Sequence, residues 1–267
     1  MPLALTGSAV VLFAAALLGT SSATAAVPRG GGVPAPVIHG RSPFTKEAKG
    51  IVTSQNWSGY AITGETFTDV QGSWTQPAAS CPTNKQEDSA FWVGIDGYSS
   101  TDDNVEQTGT DSDCNKGKKG AGTPHYYAWW EIDTATSTSS VTIPEPVSPG
   151  DQMSAEVSNS GGTYTLTLTD AGRWTYSPGP QTPVPTPQAS SAEWIAEAPS
   201  VCTKKCVPVK LANFRSVTFT GASANGASIA SFTSSQTKKI EMEKGKTIKA
   251  VPTPLLGSGF TVNWQHN

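Results

Sequence analysis

The chain has 267 residues, of which 36% are hydrophobic and 15% are charged, and its formal net charge is −3. This composition is typical of a globular protein and atypical of a disordered one. The 18 Lys and Arg residues do not outnumber the 21 Asp and Glu residues, so no basic excess is available to bind phosphates, and we expect no nucleic-acid partner. The 26 glycines and 20 prolines are poor helix formers and favour strands joined by turns.

The first 26 residues have the pattern of a secretory signal peptide. An apolar run at residues 9–18 is followed by small residues and by two small-x-Ala sites, at 23–25 and 24–26. The run has about ten residues, whereas a membrane-spanning helix needs roughly 20. We therefore expect residues 1–26 to be removed, the mature chain to be secreted and extracellular, and no membrane association to remain.

Residues 27–54 are predicted to be a leader or propeptide that is flexible and has no packed element. They begin with a glycine run at 30–32 and the Pro-Ala-Pro sequence at 34–36, and they continue as a mixed segment with basic residues. Residues 55–267 are predicted to form a single domain, because all-β domains of this size are common.

The four cysteines are expected to form disulfides. An even number of cysteines in an exported chain indicates two bridges, with three connectivities to choose from. We favour Cys81–Cys114 and Cys202–Cys206. A metal site is the rival interpretation, but no histidine lies near a cysteine and the spacings match no zinc pattern. No metal and no cofactor are expected.

Strand signals dominate after residue 55. In the segment 163–169, Tyr164, Leu166 and Leu168 alternate with threonines between two turn sequences. Similar alternation occurs at 217–219, 240–242 and 260–264, and no segment has a convincing 3.6-residue period. The sequence therefore predicts an all-β fold, an antiparallel β-sandwich of two packed sheets of the concanavalin-like or jelly-roll type.

Elimination narrows the chemistry that this chain can perform. Its histidines are His39 in the leader, His125 and His266 near the C-terminus, and His125 is best explained as an ordinary strand-edge residue. No nucleophile elbow, zinc motif or phosphate-binding loop is present. Carboxylates and amides remain as the candidate reactive groups.

Acids and amides cluster with tryptophans in four strand-like segments. A period of two places Glu193 and Glu197 on one face of their strand, and it places Trp129 and Glu131 on one face of another. Taken alone, each segment is explained by aromatic strands that fill a core and carry acids at the edges. The four segments are Trp92–Gly97, Glu106–Asp111, Tyr127–Glu131 and Ala192–Glu197.

Together with further motifs in the same order, these segments resemble the glutamic peptidases, or eqolisins. The resemblance covers essentially all of the chain after residue 55, and Ala198-Pro199 after Glu197 resembles bacterial members. The motifs are Asn56-Trp57-Ser58-Gly59, Trp74, Trp92-Val93-Gly94-Ile95-Asp96-Gly97, Gln107-Thr108-Gly109, Ala128-Trp129-Trp130-Glu131, Gly150-Asp151, Ala192-Glu193-Trp194-Ile195-Ala196-Glu197-Ala198-Pro199 and Phe214-Arg215-Ser216-Val217-Thr218-Phe219.

The resemblance implies a secreted, monomeric, pepstatin-insensitive endopeptidase that acts on polypeptides in acid. The catalytic glutamine falls on Gln107 and the catalytic glutamate on Glu197. Glu193 is the alternative glutamate, since spacing alone does not separate the two. The positions that match the substrate cleft or its support are Trp92, Asp96, Asp111, Trp129, Glu131 and Glu193.

These residue types suit peptide hydrolysis on chemical grounds. A glutamate with a reference pKa of roughly 4.3 accepts a proton from water and then protonates the leaving amine. A glutamine amide donates a hydrogen bond to the developing oxyanion. The alternative function is a carbohydrate-binding or glycoside-hydrolysing β-sandwich, in which Glu131, Glu193 and Glu197 supply the acid and the nucleophile or base.

Overall fold

The computed structural model describes residues 37–39, 44–48, 50–82, 84–99, 101, 104–116, 120–134, 140–202 and 206–267. All of them belong to one compact unit, residues 34–267. The predicted signal peptide, residues 1–26, lies outside the described residues, as do residues 27–36 of the predicted leader.

The described part of the chain is built from strands, with a single 3-10 turn at Ile229–Ser231 and no α-helix. The strands are β1 (Val37–Ile38), β2 (Phe44–Ala48), β3 (Ile51–Ser54), β4 (Trp57–Thr63), β5 (Asp69–Thr75), β6 (Ala90–Ile95), β7 (Val105–Asn115), β8 (Thr123–Asp133), β9 (Val141–Ile143), β10 (Gln152–Ser160), β11 (Thr163–Asp170), β12 (Trp174–Tyr176), β13 (Ser191–Glu197), β14 (Ser200–Cys202), β15 (Cys206–Pro208), β16 (Ser216–Ala224), β17 (Ala227–Ser228), β18 (Thr237–Lys244), β19 (Thr247–Pro252) and β20 (Phe260–Trp264).

Alternation in the sequence explains where these strands form. In β11 every second side chain is buried, because successive side chains of a strand point to opposite faces. The segments predicted at 163–169, 217–219, 240–242 and 260–264 all lie in strands, namely β11, β16, β18 and β20.

The main sheet consists of two half-sheets that are joined through β19. The first half-sheet has the order β12, β11, β10, β5, β16, β20. The second has the order β18, β4, β13, β6, β7, β8, β9. Strand β19 pairs with both β18 and β20. Strands β1, β14 and β15 form a separate small sheet.

The prediction of an all-β fold with antiparallel sheets is confirmed, with one parallel pair between β3 and β18. The predicted architecture of two sheets is matched only approximately. The reason is that β19 hydrogen-bonds to strands of both half-sheets, which makes one continuous ladder where two separate sheets were expected.

One hydrophobic core lies between the half-sheets. Trp74 and Phe219 of the first half-sheet belong to the same buried cluster as Phe91 and Trp194 of the second. Burial of such large apolar side chains is the main favourable contribution to folding. The opposite face of the second half-sheet therefore remains available for other side chains.

The structure differs from the expectation that residues 27–54 contain no packed element. Strand β3 pairs with β18, and β2 pairs with β3. Alternation in β3 buries Val52 and Ser54, so this segment extends the sheet as an additional strand. Ile38 and His39, further upstream, are also buried.

The predicted disulfide Cys81–Cys114 is confirmed, with Cα atoms 5.5 Å apart. Cys206 is also disulfide-bonded, and its register partner in the β14–β15 ladder is Cys202, as the second predicted bridge requires.

None of the helical structure in the described ranges is long and apolar enough to cross a bilayer.

Candidate active site

The face of the second half-sheet that points away from the main core carries a grid of polar and aromatic side chains. Register aligns β13, β6, β7 and β8 so that three cross-strand rows form. The rows are Glu193, Gly94, Gln107 and Glu131; Ile195, Trp92, Gly109 and Trp129; and Glu197, Ala90, Asp111 and Tyr127. The period of two thus brings most of the site residues predicted from sequence onto one surface.

Gly109 allows β6 and β7 to approach each other closely in the central row. A Cβ atom at this position would lie 2.2 Å from the carbonyl oxygen of Phe91 and 2.6 Å from Cβ of Trp92. Only glycine fits there, which explains the glycine of the Gln107-Thr108-Gly109 motif by close approach of two strands.

Asp111 is an acceptor held by neighbouring donors. Its carboxylate accepts hydrogen bonds from Nε1 of Trp129 at 2.6 Å and from the hydroxyl of Tyr127 at 2.8 Å. Burial, followed by the negative charge of Asp111, raises the pKa of Tyr127 well above its usual range. Tyr127 therefore acts as a hydrogen-bond donor that orients the carboxylate.

His39 of the leader lies inside this cluster. Its ring stacks on Trp129 with centroids 3.6 Å apart and an interplanar angle of 3°. Nε2 lies 3.1 Å from a carboxylate oxygen of Asp111, and Nδ1 lies 3.3 Å from Oε2 of Glu131. Both ring nitrogens thus face a carboxylate oxygen, and these two negative charges favour the imidazolium form.

Electrostatics agree with that protonation state. Burial alone would lower the pKa of His39, but the charges and hydrogen bonds of Asp111 and Glu131 outweigh burial and raise the pKa to about 10. Burial raises the pKa of Glu131, and the hydrogen bond and charge of His39 oppose that rise. One imidazolium therefore lies between two buried carboxyl groups and compensates part of their charge.

Gln107 joins the leader to the sheet. Its Nε2 donates to the main-chain carbonyl oxygen of His39 and lies 3.4 Å from Oε2 of Glu131. The same Glu131 oxygen accepts a hydrogen bond from the main-chain N–H of His39 at 3.0 Å. Oε1 of Gln107 is buried and accepts no hydrogen bond from the described residues.

Glu197 is oriented by two donors. Nε1 of Trp92 donates to its Oε2 at 2.8 Å, and Nδ2 of Asn56 donates to its Oε1 at 3.2 Å. Asn56 is itself positioned by a hydrogen bond from the hydroxyl of Ser54 at 3.1 Å. Burial raises the pKa of Glu197 to about 8, while the charge of His39 and the hydrogen bond from Trp92 act in the opposite direction.

The buried state of Glu197 predicts a change in stability with pH. The pKa of Glu197 is raised from 4.5 to about 8. Between these two pH values the folded state keeps a proton on Glu197, whereas the unfolded state has lost it. The free energy of unfolding therefore falls as the pH rises through this window. In Glu197→Gln we expect this loss to disappear. Relative to wild type, its free energy of unfolding should rise by ~1.4 kcal/mol per pH unit between pH 5 and 7.

Urea denaturation of both proteins at several pH values measures this difference. Glu145→Gln, at an exposed position, is the matched control and should keep the wild-type slope. Parallel pH profiles for wild type and Glu197→Gln would show that Glu197 titrates normally.

Two other predicted site residues have different surroundings. Asp96 accepts hydrogen bonds from the main-chain N–H groups of Ala189 and Ser190 at 2.7 and 2.6 Å, so it anchors a loop. Glu193 is buried. Burial, Glu47 and Glu193 together raise the pKa of Tyr98 to about 12, which indicates that Glu193 lies near this tyrosine.

Three residues with clear contacts were missed by the sequence interpretation. His39 was assigned to a flexible leader, Asn56 was quoted in a motif without a role, and Tyr127 was included only as part of an aromatic segment. No local pattern signals that these side chains meet Asp111, Glu131 and Glu197. His125, by contrast, is exposed on β8, as expected for a strand-edge residue.

The fold is all-β, and its candidate site combines the buried amide of Gln107 with the carboxyl groups of Asp111, Glu131 and Glu197. These features together define a class of protein. Comparisons with known proteins identify that class. The Peptidase A4 family model matches residues 55–264. The chain therefore belongs to the peptidase A4 family, the glutamic peptidases, which confirms the resemblance inferred from its motifs.

Individual relatives agree with this membership. The chain is 30% identical over 197 residues to Aspergillopepsin-2 of Aspergillus niger, an alignment that covers 64% of this chain and 64% of that relative. It thus matches slightly less than two thirds of that relative's length.

Solved structures with the same fold include scytalido-glutamic peptidase with a transition state analog inhibitor, at a TM-score of 0.64 and 22% identity. They also include SCP-B, an eqolisin in a complex with the tripeptide Ala-Ile-His, at a TM-score of 0.60 and 23% identity. Both comparisons cover 79% of this chain and 98% of the other.

Proposed function

We propose that this protein is a secreted endopeptidase that hydrolyses polypeptides in acid with Gln107 and Glu197 as its catalytic pair. The observation that carries the proposal is the hydrogen bond from Nε2 of Gln107 to a peptide carbonyl oxygen, that of His39. An amide that already donates to a peptide carbonyl is placed to stabilise the oxyanion that forms when water adds to it.

The carboxylate of Glu197 is the proposed general base. It removes a proton from water while the water oxygen adds to the carbonyl carbon, and the N–H of Gln107 stabilises the oxyanion. The protonated Glu197 then donates its proton to the leaving nitrogen as the carbon–nitrogen bond breaks. Oε1 of Gln107, which accepts no hydrogen bond from the part of the chain that the structure describes, is available to accept one from the attacking water.

The electrostatic surroundings favour Glu197 over Glu193 as the base. The pKa of Glu197 responds, after burial, to the charge of His39 and then to those of Glu131 and Asp111. Two of these groups, His39 and Glu131, also contact Gln107. Glu193 contributes to the raised pKa of Tyr98. Glu197 is thus coupled to the charged groups that surround the amide.

Action in acid follows from the groups involved. With the leader in place, burial raises the pKa of Glu197 to about 8. Once the leader has left and water reaches the carboxyl group, its pKa returns toward the reference value of roughly 4.3, which makes it an effective base in moderately acidic solution.

In this proposal the two half-sheets serve as the two layers of a jelly-roll-type sandwich, and its outer face holds the substrate. We also propose that the mature protein acts as a monomer after loss of its signal peptide, without nucleic-acid or membrane partners.

The substrate class is supported by what occupies this site. SCP-B is described with the tripeptide Ala-Ile-His, and the Ile38-His39 pair of this chain repeats the last two residues of that tripeptide, with His39 at the site. A peptide segment thus already lies beside the amide and the carboxyls, as a polypeptide substrate would.

Digestion of casein from pH 2 to 7, with and without pepstatin, tests the proposal. We expect digestion that is fastest in acid and insensitive to pepstatin. A panel of polysaccharides run beside it tests the alternative chemistry. Release of reducing sugars without release of casein peptides would replace the peptidase assignment with a glycoside-hydrolysing one.

Asn56 is expected to assist as a positioning residue. Replacing it with alanine removes one N–H donor to the Glu197 carboxylate, which disfavours the charged form and raises its pKa. We expect kcat/KM for a peptide to fall about tenfold, as for the loss of one hydrogen bond to a charged group. The acid limb of the pH profile should move to higher pH.

The pH dependence of kcat/KM measures both effects. Gln265→Ala, at an exposed position near the C-terminus, serves as the control. A lower rate with an unchanged acid limb would indicate a general structural effect of Asn56 and no action through Glu197.

A further inference from the structure

A cavity of about 180 Å³ lies between the end of the small sheet and the β18–β19 hairpin. We call it the lysine cavity, because Lys210, Lys244 and Lys249 line it, together with Thr247 and Asn267. Lys210 follows β15, Lys244 ends β18 and Lys249 lies on β19. None of these residues belongs to the grid of polar and aromatic side chains, so the lysine cavity is separate from the candidate active site.

A β-bulge places Lys249 at this cavity. In the ladder of β18 with β19, Glu243 lies opposite Ile248, whereas the residue before Glu243 lies opposite Ala250. Lys249 is therefore an extra residue without a register partner on β18, and bulges of this kind redirect a side chain. The main chain is fixed there, since the carbonyl oxygen of Lys249 accepts hydrogen bonds from two N–H groups after β20, at 2.7 and 3.2 Å.

The ammonium group of Lys249 is buried and has no carboxylate partner among the described residues. The residue is 3% exposed. Burial, followed by the positive charges of Lys244 and Lys210, lowers its pKa to about 8, so the group is still mostly protonated at pH 7. A buried charge costs free energy unless it is paired. This position is therefore suited to an anion from outside the chain.

The other walls of the lysine cavity add positive charge. Lys210 and Lys244 are exposed, and no acidic side chain of the described chain lines the cavity. Glu87 accepts a hydrogen bond from Nδ2 of Asn267 at 2.8 Å and does not itself line the cavity. Three ammonium groups repel one another, and an anion between them offsets that repulsion. An ion with more than one negative charge suits them better than a monovalent ion.

The size of the cavity restricts the ligand. A volume of about 180 Å³ holds only a few water molecules, since each occupies roughly 30 Å³ in the liquid. Pockets for drug-sized ligands begin at roughly 300 Å³. Each ammonium group carries three N–H donors and no acceptor, and Thr247 adds a hydroxyl. The ligand is therefore expected to be a small anion with several oxygen acceptors, and phosphate is such an anion that lysines bind in other proteins.

We propose that the lysine cavity binds a phosphate-type oxyanion, with Lys249 as its buried ligand and Lys210 and Lys244 as its exposed ligands. The oxyanion is a free phosphate ion or the phosphoryl group of a phosphopeptide, because both present the same kind of charged oxygen atoms. Sulfate has the same tetrahedral shape and should bind as well. This site goes beyond the proposed function and does not depend on it.

Binding of the oxyanion is expected to stabilise the fold. Lys244 and Lys249 lie on two strands of the main sheet, whereas Lys210 follows the small sheet, where its carbonyl oxygen accepts a hydrogen bond from the N–H of Asp88 at 2.9 Å. An anion held by all three lysines connects these segments. It binds only when they are folded together, so it raises the melting temperature by mass action.

Inorganic phosphate is the probe in the first experiment. The secreted protein is studied at pH 7 by isothermal titration calorimetry and by thermal unfolding, with sodium chloride used to keep the ionic strength equal in all samples. We expect one phosphate ion to bind per chain and Tm to rise by about 3 °C at about 10 mM phosphate. Sulfate should give a similar rise, and acetate, which has a single charge, should give a smaller one.

Lys249→Met is the main variant. Methionine has nearly the length of lysine without its charge, so it fills the same space and removes the cost of the buried ammonium. We expect Tm in chloride to rise above the wild-type value and the phosphate-dependent rise to disappear. A lysine that served only the packing of β19 would give a lower Tm in chloride when replaced.

Lys244→Gln tests the site at an exposed position, where folding is not at risk. Loss of one hydrogen bond to a charged group should weaken phosphate binding by about tenfold. Lys246→Gln is the matched control, since Lys246 lies in the turn of the same hairpin, is exposed and does not line the cavity. Its Kd for phosphate should stay within about twofold of wild type, because an exposed charge outside the site is screened by salt.

A phosphoserine peptide and its unphosphorylated counterpart distinguish the two sources of the oxyanion. Tighter binding of the phosphoserine peptide than of inorganic phosphate identifies a phosphoryl group on a partner, and the reverse order identifies the free ion; both agree with the proposal. An equal Tm in phosphate and in chloride, or a phosphate-dependent rise that persists in Lys249→Met and Lys244→Gln, would overturn it. None of these measurements uses peptide hydrolysis, so either result leaves the proposed function standing.

Discussion

Replacing Glu197 with glutamine is expected to lower kcat/KM for peptide hydrolysis by about 10³-fold, within the range that general acid–base catalysis contributes. A glutamine has nearly the same shape, and its carbonyl oxygen still accepts the hydrogen bond that Trp92 donates to Glu197. It cannot take a proton from water near neutral or acidic pH. The loss therefore reports on the chemistry and leaves the packing in place.

Glu193→Gln is the matched control for this experiment, since both glutamates lie on β13 and both are buried. We expect its activity to stay within about tenfold of wild type, because Glu193 is coupled to Tyr98. Initial rates on a fluorogenic peptide at several pH values provide the measurement. The reverse pattern, with Glu193→Gln inactive and Glu197→Gln active, would transfer the role of general base to Glu193.

Replacing Gln107 with alanine is expected to lower kcat by about 10²- to 10³-fold with a smaller effect on KM, as for the loss of one preorganised oxyanion donor. The reason is that the hydrogen bond from Nε2 strengthens as charge develops on the carbonyl oxygen. Interactions made mainly in the transition state lower kcat.

Single-turnover and steady-state kinetics on one peptide separate the two parameters. Gln181→Ala removes an amide from the loop between β12 and β13, where its side chain donates to the carbonyl of Gly179, and should leave both parameters near wild type. A large rise in KM with an unchanged kcat for Gln107→Ala would assign Gln107 to ground-state binding and would remove it from the proposed catalytic pair.

The strands were the most predictable part of this protein. In β11 the alternation of Tyr164, Leu166 and Leu168 with threonines was sufficient, because one face of the strand is buried and the other is not. The way in which the half-sheets join was not predictable. Strand β19 bonds to strands from both half-sheets, and such pairings depend on contacts between distant segments, which local alternation does not encode.

The grid of side chains was predictable in part. A period of two on β7 places Gln107 and Asp111 on one face, and the same period on β13 places Glu193 and Glu197 on one face. What local alternation does not provide is the register between strands, which sets Asp111 opposite Tyr127 and Gln107 opposite Glu131. Register depends on the packing of the entire sheet.

The amino-acid sequence by itself determined the strand-rich class, the family and the set of acids and amides from which a site is built. It left three disulfide connectivities open, and the structure shows the favoured bridge Cys81–Cys114. Only the tertiary structure decided that His39 sits among these acids and amides. It lies 68 residues from Gln107 and 92 from Glu131 along the chain, and its partners are assembled by pairing of β7 with β8. A buried ion pair forms only where folding brings its charges within about 4 Å and excludes water, so residue type and local spacing do not reveal it.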